Sequence, residues 1–300
     1  MGGAGARPAQ AGMRAVNRRT CLRVLPAAFA WVLSPPARAG EAVQRQLRWS
    51  FELVNPLSRD LADQAVWLYV PAAETPVQTL DAVRLSVPWT LTRDALGHAV
   101  VEVRVPHLPA LGRRVVSVTA DLTLQDLPRE TPLTDPAPWL RGERFIEVDD
   151  PAVRALAAGL RRTTPAETAR AVYDWVRGHL EYAGYVPEDR GAADALARRR
   201  GDCTEYAYLV TALARANGIP ARMVGGHDTD RNAVLRAADY HNWAELHFDG
   251  RWNLVDAQKE RWLRPADQYV AFRIYRDAVL NPVGLAHRYA VRGEMDVRPA

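Results

Sequence analysis

The sequence predicts an α+β protein in two parts, a small β-sandwich followed by helices packed on an antiparallel sheet. Three observations carry that prediction. Residues 44–124 alternate short runs of β-branched and aromatic residues with turn residues. Residues 150–220 hold helical periodicities bounded by caps. From residue 221 strand patterns return, with Asp249-Gly250 as a strong two-residue hairpin signal. At 300 residues the chain is long enough for two cores.

The N-terminus reads as a targeting segment. Arg14, Arg18, Arg19 and Arg23 accompany an apolar run over 22–33, and Ala37-Arg38-Ala39 follows. That layout predicts a secretory signal peptide over 1–39, cleaved before Gly40. The apolar run is shorter than the ~20 residues of a membrane-spanning helix, so no stable span is expected after cleavage. Residues 1–40 hold six arginines and no acidic residue, so 39 basic groups become 33 against 35 acidic ones. The formal charge falls from +4 to −2, and the apparent basicity gives no ground for a nucleic-acid or anionic-membrane partner. Cys21 leaves with the signal, and Cys203 remains alone in a protein expected to be periplasmic or secreted, so a structural disulfide is excluded and a free thiol is left, with a buried hydrophobe as the alternative reading.

Strands are expected over 48–54, 65–70, 84–89, 99–105 and 113–124, separated by prolines and glycines. They predict an immunoglobulin-like sandwich over 40–127, with no cluster of catalytic residue types. Pro128, Pro132, Pro136 and Pro138 mark a linker over 128–139, and a second domain is expected over 140–300. In it, Asp150-Pro151 opens a helix to about 162, and Thr164-Pro165-Ala166-Glu167 is a capping box for a helix through His179. Ala169, Val172, Tyr173 and Val176 give that helix a buried face. A short helix over 192–200 follows, with Gly201 as its left-handed cap.

Asp202 is then an N-cap and Glu205 stands at N3, so Cys203 opens the next helix. Asn217-Gly218-Ile219-Pro220 closes it, and Tyr206, Leu209, Val210, Leu213 and Ala214 form its inward stripe. Strands are expected over 221–225, 240–248 and 251–256.

Cysteine at the first position of a helix has a chemical meaning. The positive end of the helix favours thiolate, and free backbone N–H groups there suit a developing oxyanion. A cysteine serving only as a small hydrophobe would more naturally sit mid-helix on the apolar stripe. The hairpin supplies the rest. With Asp249 and Gly250 as the loop, paired residue numbers sum to 499, which sets Asp256 opposite Trp243 and makes His241 its diagonal neighbour, ~7–8 Å away between Cα atoms. His247 shares the face but pairs near Trp252, too far along to use Asp256. An aspartate on one imidazole nitrogen fixes the ring while the other nitrogen faces a thiol.

Residues 197–226, then His241-Asn242-Trp243-Ala244-Glu245 and Trp252-Asn253-Leu254-Val255-Asp256, resemble the transglutaminase-like superfamily of bacterial cysteine enzymes. The resemblance covers about residues 140–260. It implies a papain-like, transglutaminase-like core, nucleophile Cys203, general base and acid His241, and orienting Asp256. It also implies a second oxyanion donor upstream of the cysteine, for which Tyr182 and Trp175 are the two candidates. The expected activity is that of a cysteine peptidase or amidase, or of a protein-glutamine acyltransferase, on a protein or peptide substrate and without a cofactor. Hydrolysis is favoured because no acceptor-amine site can be read.

Two other readings stand beside it: a noncatalytic transglutaminase-fold scaffold of the cell envelope, and a metal-dependent hydrolase using His227, Asp230 and His241. The run His227-Asp228-Thr229-Asp230 matches no established ligand spacing and is expected to be a polar loop beside the cleft, so no metal site is predicted.

Overall fold

The computed structural model describes Met1–Gly2 and residues 42–299; the expected signal segment and Cys21 lie outside the described residues. In chain order the first half is β1 (Ala42–Val54), β2 (Leu61–Val70), β3 (Gln78–Leu85), β4 (Thr90–Arg93), β5 (Ala99–Leu108) and β6 (Arg113–Gln125). The second half runs α1 (Pro151–Leu160), α2 (Pro165–His179), β7 (Glu181–Tyr182), α3 (Ala192–Arg198), β8 (Arg200–Gly201), α4 (Cys203–Ala216) and β9 (Ala221–Asp228). It continues through β10 (Ala233–Val234), β11 (Tyr240–Phe248), β12 (Arg251–Asp256), β13 (Arg261–Trp262), β14 (Tyr269–Ile274), β15 (Tyr289–Arg292) and β16 (Asp296–Pro299).

The β-sandwich and the helix-on-sheet layer are both present. One sandwich sheet has the order β10-β1-β6-β3, with β16 also on β1, and the other is β15-β2-β5-β4. Alternation drives their packing: Leu47, Phe51 and Leu53 of β1 and Val116, Val118, Ala120, Leu122 and Leu124 of β6 point into one apolar core. The strand expected over 84–89 is divided. Pro88 has no N–H to give a ladder, and the chain leaves β3 in one sheet to enter β4 in the other. Strands β10, β15 and β16, all from the second half, complete the two sheets.

The third sheet is β13-β12-β11-β9-β14, antiparallel throughout. Helix α4 lies on it, with α1, α2 and α3 packed around α4. Threonine 204 through Arg215 are therefore all buried, where the sequence pattern indicated a single stripe. The opposite face of the sheet carries Trp243, Trp252, Leu254 and Tyr269, which pack with Trp139 and Ala72. Helix-start signals are realised closely: Asp150 caps α1, and Thr164 with Glu167 forms the capping box of α2. The cap of α3 differs. Arg199, not Gly201, takes the left-handed conformation, with φ 55°. Glycine at 201 answers a different need, because a Cβ there would collide with the Glu205 side chain.

Candidate active site

Cys203 is the first residue of α4, where the sequence put it. Asp202 caps the helix by accepting from Thr204 N at 2.7 Å, and Glu205 Oε2 accepts from Asp202 N at 3.0 Å. The two acids also reach outward. Asp202 Oδ2 accepts from Val186 N at 3.0 Å and Glu205 Oε1 from Arg190 N at 3.1 Å, so the capping box holds the loop that forms one wall of the cleft. Burial, with the neighbouring Asp202 charge outweighing two backbone hydrogen bonds, pushes Glu205 up to about 7. The capping narrows the supply of free donors. The Thr204 and Glu205 N–H groups are engaged by Asp202, and Tyr206 N donates to Asp202 O. The Cys203 N–H remains for an incoming oxygen.

The hairpin has the expected register, from Phe248↔Arg251 to Ala244↔Val255, with no bulge. Asp249 and Gly250 have φ 52° and 71°, the paired positive values a type I′ turn requires. The consequence is direct: His241 Nε2 lies 2.6 Å from Asp256 Oδ2, both side chains nearly fully buried. His247 turns instead to the Thr131 carbonyl at 2.8 Å. Asp256 receives two further bonds, from Tyr269 OH at 2.7 Å and Lys259 N at 3.0 Å. Burial opposes its charge, yet His241 and these donors hold the carboxyl below its usual range. Burial also opposes a charged His241. The hydrogen bond to Asp256, that to Cys203 and the charges of both prevail and raise the ring to about 9. With Nε2 given to Asp256, Nδ1 is the nitrogen left for the thiol.

Two neighbours were not read from the sequence as site residues. Asn242 Nδ2 is 3.9 Å from Cys203 Sγ and donates to Thr204 Oγ1 at 2.9 Å, tying β11 to the start of α4. Tyr269 comes from β14, a strand without an alternating signal because all six of its residues are buried. Of the two aromatic candidates, Tyr182 is beside the cysteine. Parallel pairing of β7 with β8 sets Tyr182 against Gly201, and burial followed by the charges of Cys203 and Asp202 pushes its phenol up. Trp175 stacks on His179 at 4.5 Å with Arg199 over its ring, away from the cleft lining. The cleft has a volume of about 680 Å³, and Cys203, Asn242, Tyr185, Asp189, His287 and Arg288 are among its walls.

His227, Asp230 and His241 do not form a donor cluster; among the described residues no three His, Cys, Asp or Glu side chains converge for a metal. Asp228 pairs with Lys259. Among the described residues no helix is long and apolar enough to cross a membrane.

Comparison with known proteins bears on the fold. Residues 154–257 match the family model described as the transglutaminase-like superfamily, and this region of the chain is a transglutaminase-like domain. The human kyphoscoliosis peptidase is 29% identical over 103 residues, which is 31% of this chain and 16% of that protein. Its mouse counterpart is 28% identical over 100 residues, 30% of this chain and 15% of that protein. The shared region thus spans about a sixth of those relatives. A candidate cysteine protease from Cytophaga hutchinsonii has the same fold, with a TM-score of 0.59 at 22% identity over 87% of this chain and 92% of its own.

Proposed function

We propose that the protein is an exported thiol enzyme that cleaves peptide or amide bonds through an acyl-enzyme on Cys203. One observation carries the reading: a buried His241–Asp256 pair at 2.6 Å whose ring is also raised by the Cys203 thiol at a helix start. His241 Nδ1 takes the thiol proton, and Sγ attacks the carbonyl carbon to form a C–S bond. The Cys203 N–H and the Tyr182 hydroxyl receive the oxyanion. Collapse breaks the C–N bond, and the imidazolium returns its proton to the leaving amine. Water then attacks the thioester, His241 takes its proton, and the carboxylic acid leaves as the thiol reforms. Asp256 stays ionised throughout and holds the ring. Water is the favoured acceptor because no amine-binding site is legible around the cleft. The peptidase name of the curated relatives and the targeting pattern over 1–39 agree with a peptide substrate outside the cytoplasm.

Iodoacetamide labelling across pH tests the pair. The expected result is a thiol alkylated rapidly below neutral pH, with that reactivity lost in His241→Ala; ordinary thiol behaviour in both proteins would overturn the reading. Incubation with a peptide mixture and intact-mass analysis should reveal an acyl adduct on Cys203.

A further inference from the structure

One wall of the Cys203 cleft carries a positive charge without a counter-ion. Arg288 is the only arginine or lysine among the described residues that line the cleft. Arginines buried elsewhere in this half are paired: Arg215 and Arg276 with Glu143 at 2.9 and 2.7 Å, and Arg222 with Glu245 at 2.6 Å. Arg288 is half-buried, and among the described residues no carboxylate pairs with it. Its side chain makes a single hydrogen bond, from Nη1 to the Ala237 carbonyl at 2.9 Å, and lies 4.5 Å from the centre of the Tyr240 ring. Nε and Nη2 are unbonded, and neither is buried.

The two acids on the same lining are already engaged. Asp189 accepts from His287 Nε2 at 2.8 Å and from Tyr208 OH at 2.9 Å, and His287 Nδ1 in turn accepts from Arg273 Nη1 at 3.2 Å. Asp202 is bound by the Val186 and Thr204 N–H groups. Neither is placed to neutralise Arg288. The guanidinium is also held on a fixed base, since the Arg288 carbonyl accepts from Tyr69 N at 3.0 Å and Tyr289 pairs with Leu68 in the sandwich.

Its distance from the thiol follows from β11. Tyr240 and Asn242 are two residues apart, so they share a face of the strand at a spacing of ~7 Å. Gly225 confirms that both point the same way, because a Cβ there would meet the Tyr240 hydroxyl and Asn242 Oδ1 together. Asn242 touches Cys203 Sγ at 3.9 Å, and Arg288 covers Tyr240. Burial pushes the Tyr240 phenol up to about 12; the Arg273 and Arg288 charges oppose that shift and the Cys203 charge adds to it, so the ring stands within electrostatic reach of both thiol and guanidinium. An extended peptide covers ~7 Å in two residues.

We propose that Arg288 is a carboxylate anchor of the cleft, selecting peptides with an acidic side chain or a free C-terminal carboxylate within about two residues of the bond attacked by Cys203. Guanidinium donors in a fixed fork match a carboxylate, and charge-assisted bonds of this kind are the strong ones. The proposal rests on the thiol-enzyme reading above and adds the substrate class to it.

Peptidyl acyloxymethyl ketones test this on the full chain, with glutamate or glutamine placed either beside the ketone or one residue further back. The readout is the Glu-to-Gln ratio of Cys203 labelling rates by intact mass, a ratio taken within one protein and so insensitive to its folded fraction. At one of the two positions glutamate is expected to label about 10- to 100-fold faster. Arg288→Gln should bring that ratio to within about twofold, and Arg288→Lys should keep part of it. A terminal carboxylate is read separately, by whether trialanine protects Cys203 from iodoacetamide better than trialanine amide does, and whether Arg288→Gln removes the difference. Equal glutamate and glutamine rates at both positions together with equal protection, or a preference that survives Arg288→Gln, overturn the anchor and leave the thiol reading standing. Iodoacetamide labelling that ignores His241 overturns the thiol reading instead.

Discussion

The sandwich holds a histidine–aspartate pair as short and as buried as the one in the transglutaminase-like domain, though made through the other ring nitrogen. His98 Nδ1 is 2.7 Å from Asp94 Oδ2, with side chains 2% and 7% exposed; His241 Nε2 is 2.6 Å from Asp256 Oδ2, with side chains 5% and 1% exposed. The difference lies at the second ring nitrogen. His98 Nε2 accepts from the Ile274 backbone at 2.7 Å, and Asp94 also accepts from Asn281 Nδ2 at 2.8 Å, so every group is spent on joining β5 to β14 and the loop before β15. His241 offers its second nitrogen to a thiol. A buried carboxylate fixes a ring in either setting, and the partner across the ring decides whether the pair supports structure or chemistry.

Substitutions can break that contrast in graded steps. Cys203→Ala should remove acyl-adduct formation altogether, read by intact mass. His241→Ala should lower p-nitrophenyl acetate hydrolysis by about 10²- to 10⁴-fold. His98→Ala should leave that rate near wild type while lowering stability in urea by about 1–3 kcal/mol, because Asp94 and the Ile274 N–H lose their shared partner. Asp256→Asn should cost up to about 10⁴-fold through a ring held in the wrong tautomer. Tyr182→Phe should cost about 10-fold, below the usual contribution of an oxyanion donor because the residue is 53% exposed. Trp175→Phe serves as the comparison without effect.

The same contrast has a pH form. A ring raised to about 9 stabilises the fold fully below its unfolded value of ~6.5, and that contribution is lost as pH rises through about 9. The lowered Asp256 works in the other direction: its contribution is present above ~4 and is lost as pH falls through its depressed folded value. Thermal midpoints of the wild type should therefore decline between pH 6.5 and 9, and His241→Gln should flatten that limb.

Much of the site was legible because its determinants are local. The capping box around Cys203 spans four residues, and the Asp249-Gly250 turn sets a register that carries His241 to Asp256 without any long-range information. What escaped depends on distant pairing. Tyr269 reaches Asp256 from a strand buried on both faces, where periodicity vanishes. Tyr182 is separated from Trp175 as a candidate by two-residue strands whose parallel pairing no propensity announces. Arg199 in place of Gly201 as the left-handed residue reflects a glycine retained for space beside Glu205. The sandwich strands were visible by alternation, but β10, β15 and β16 are too short to declare which sheet they join.

Those three late strands impose an order on assembly. Synthesis runs from the N-terminus, yet β1 lacks two of its neighbours until residues 233–234 and 296–299 exist, and β2 lacks one until 289–292. Nascent chains therefore carry an open sheet edge until residues 289–299 emerge, with sequence separations of more than 200 residues between partners. Such non-local closure is slow. The wall that faces the Cys203 cleft is thus completed only by residues 289–299, and a chain truncated before residue 289 should have its cysteine helix without a finished cleft.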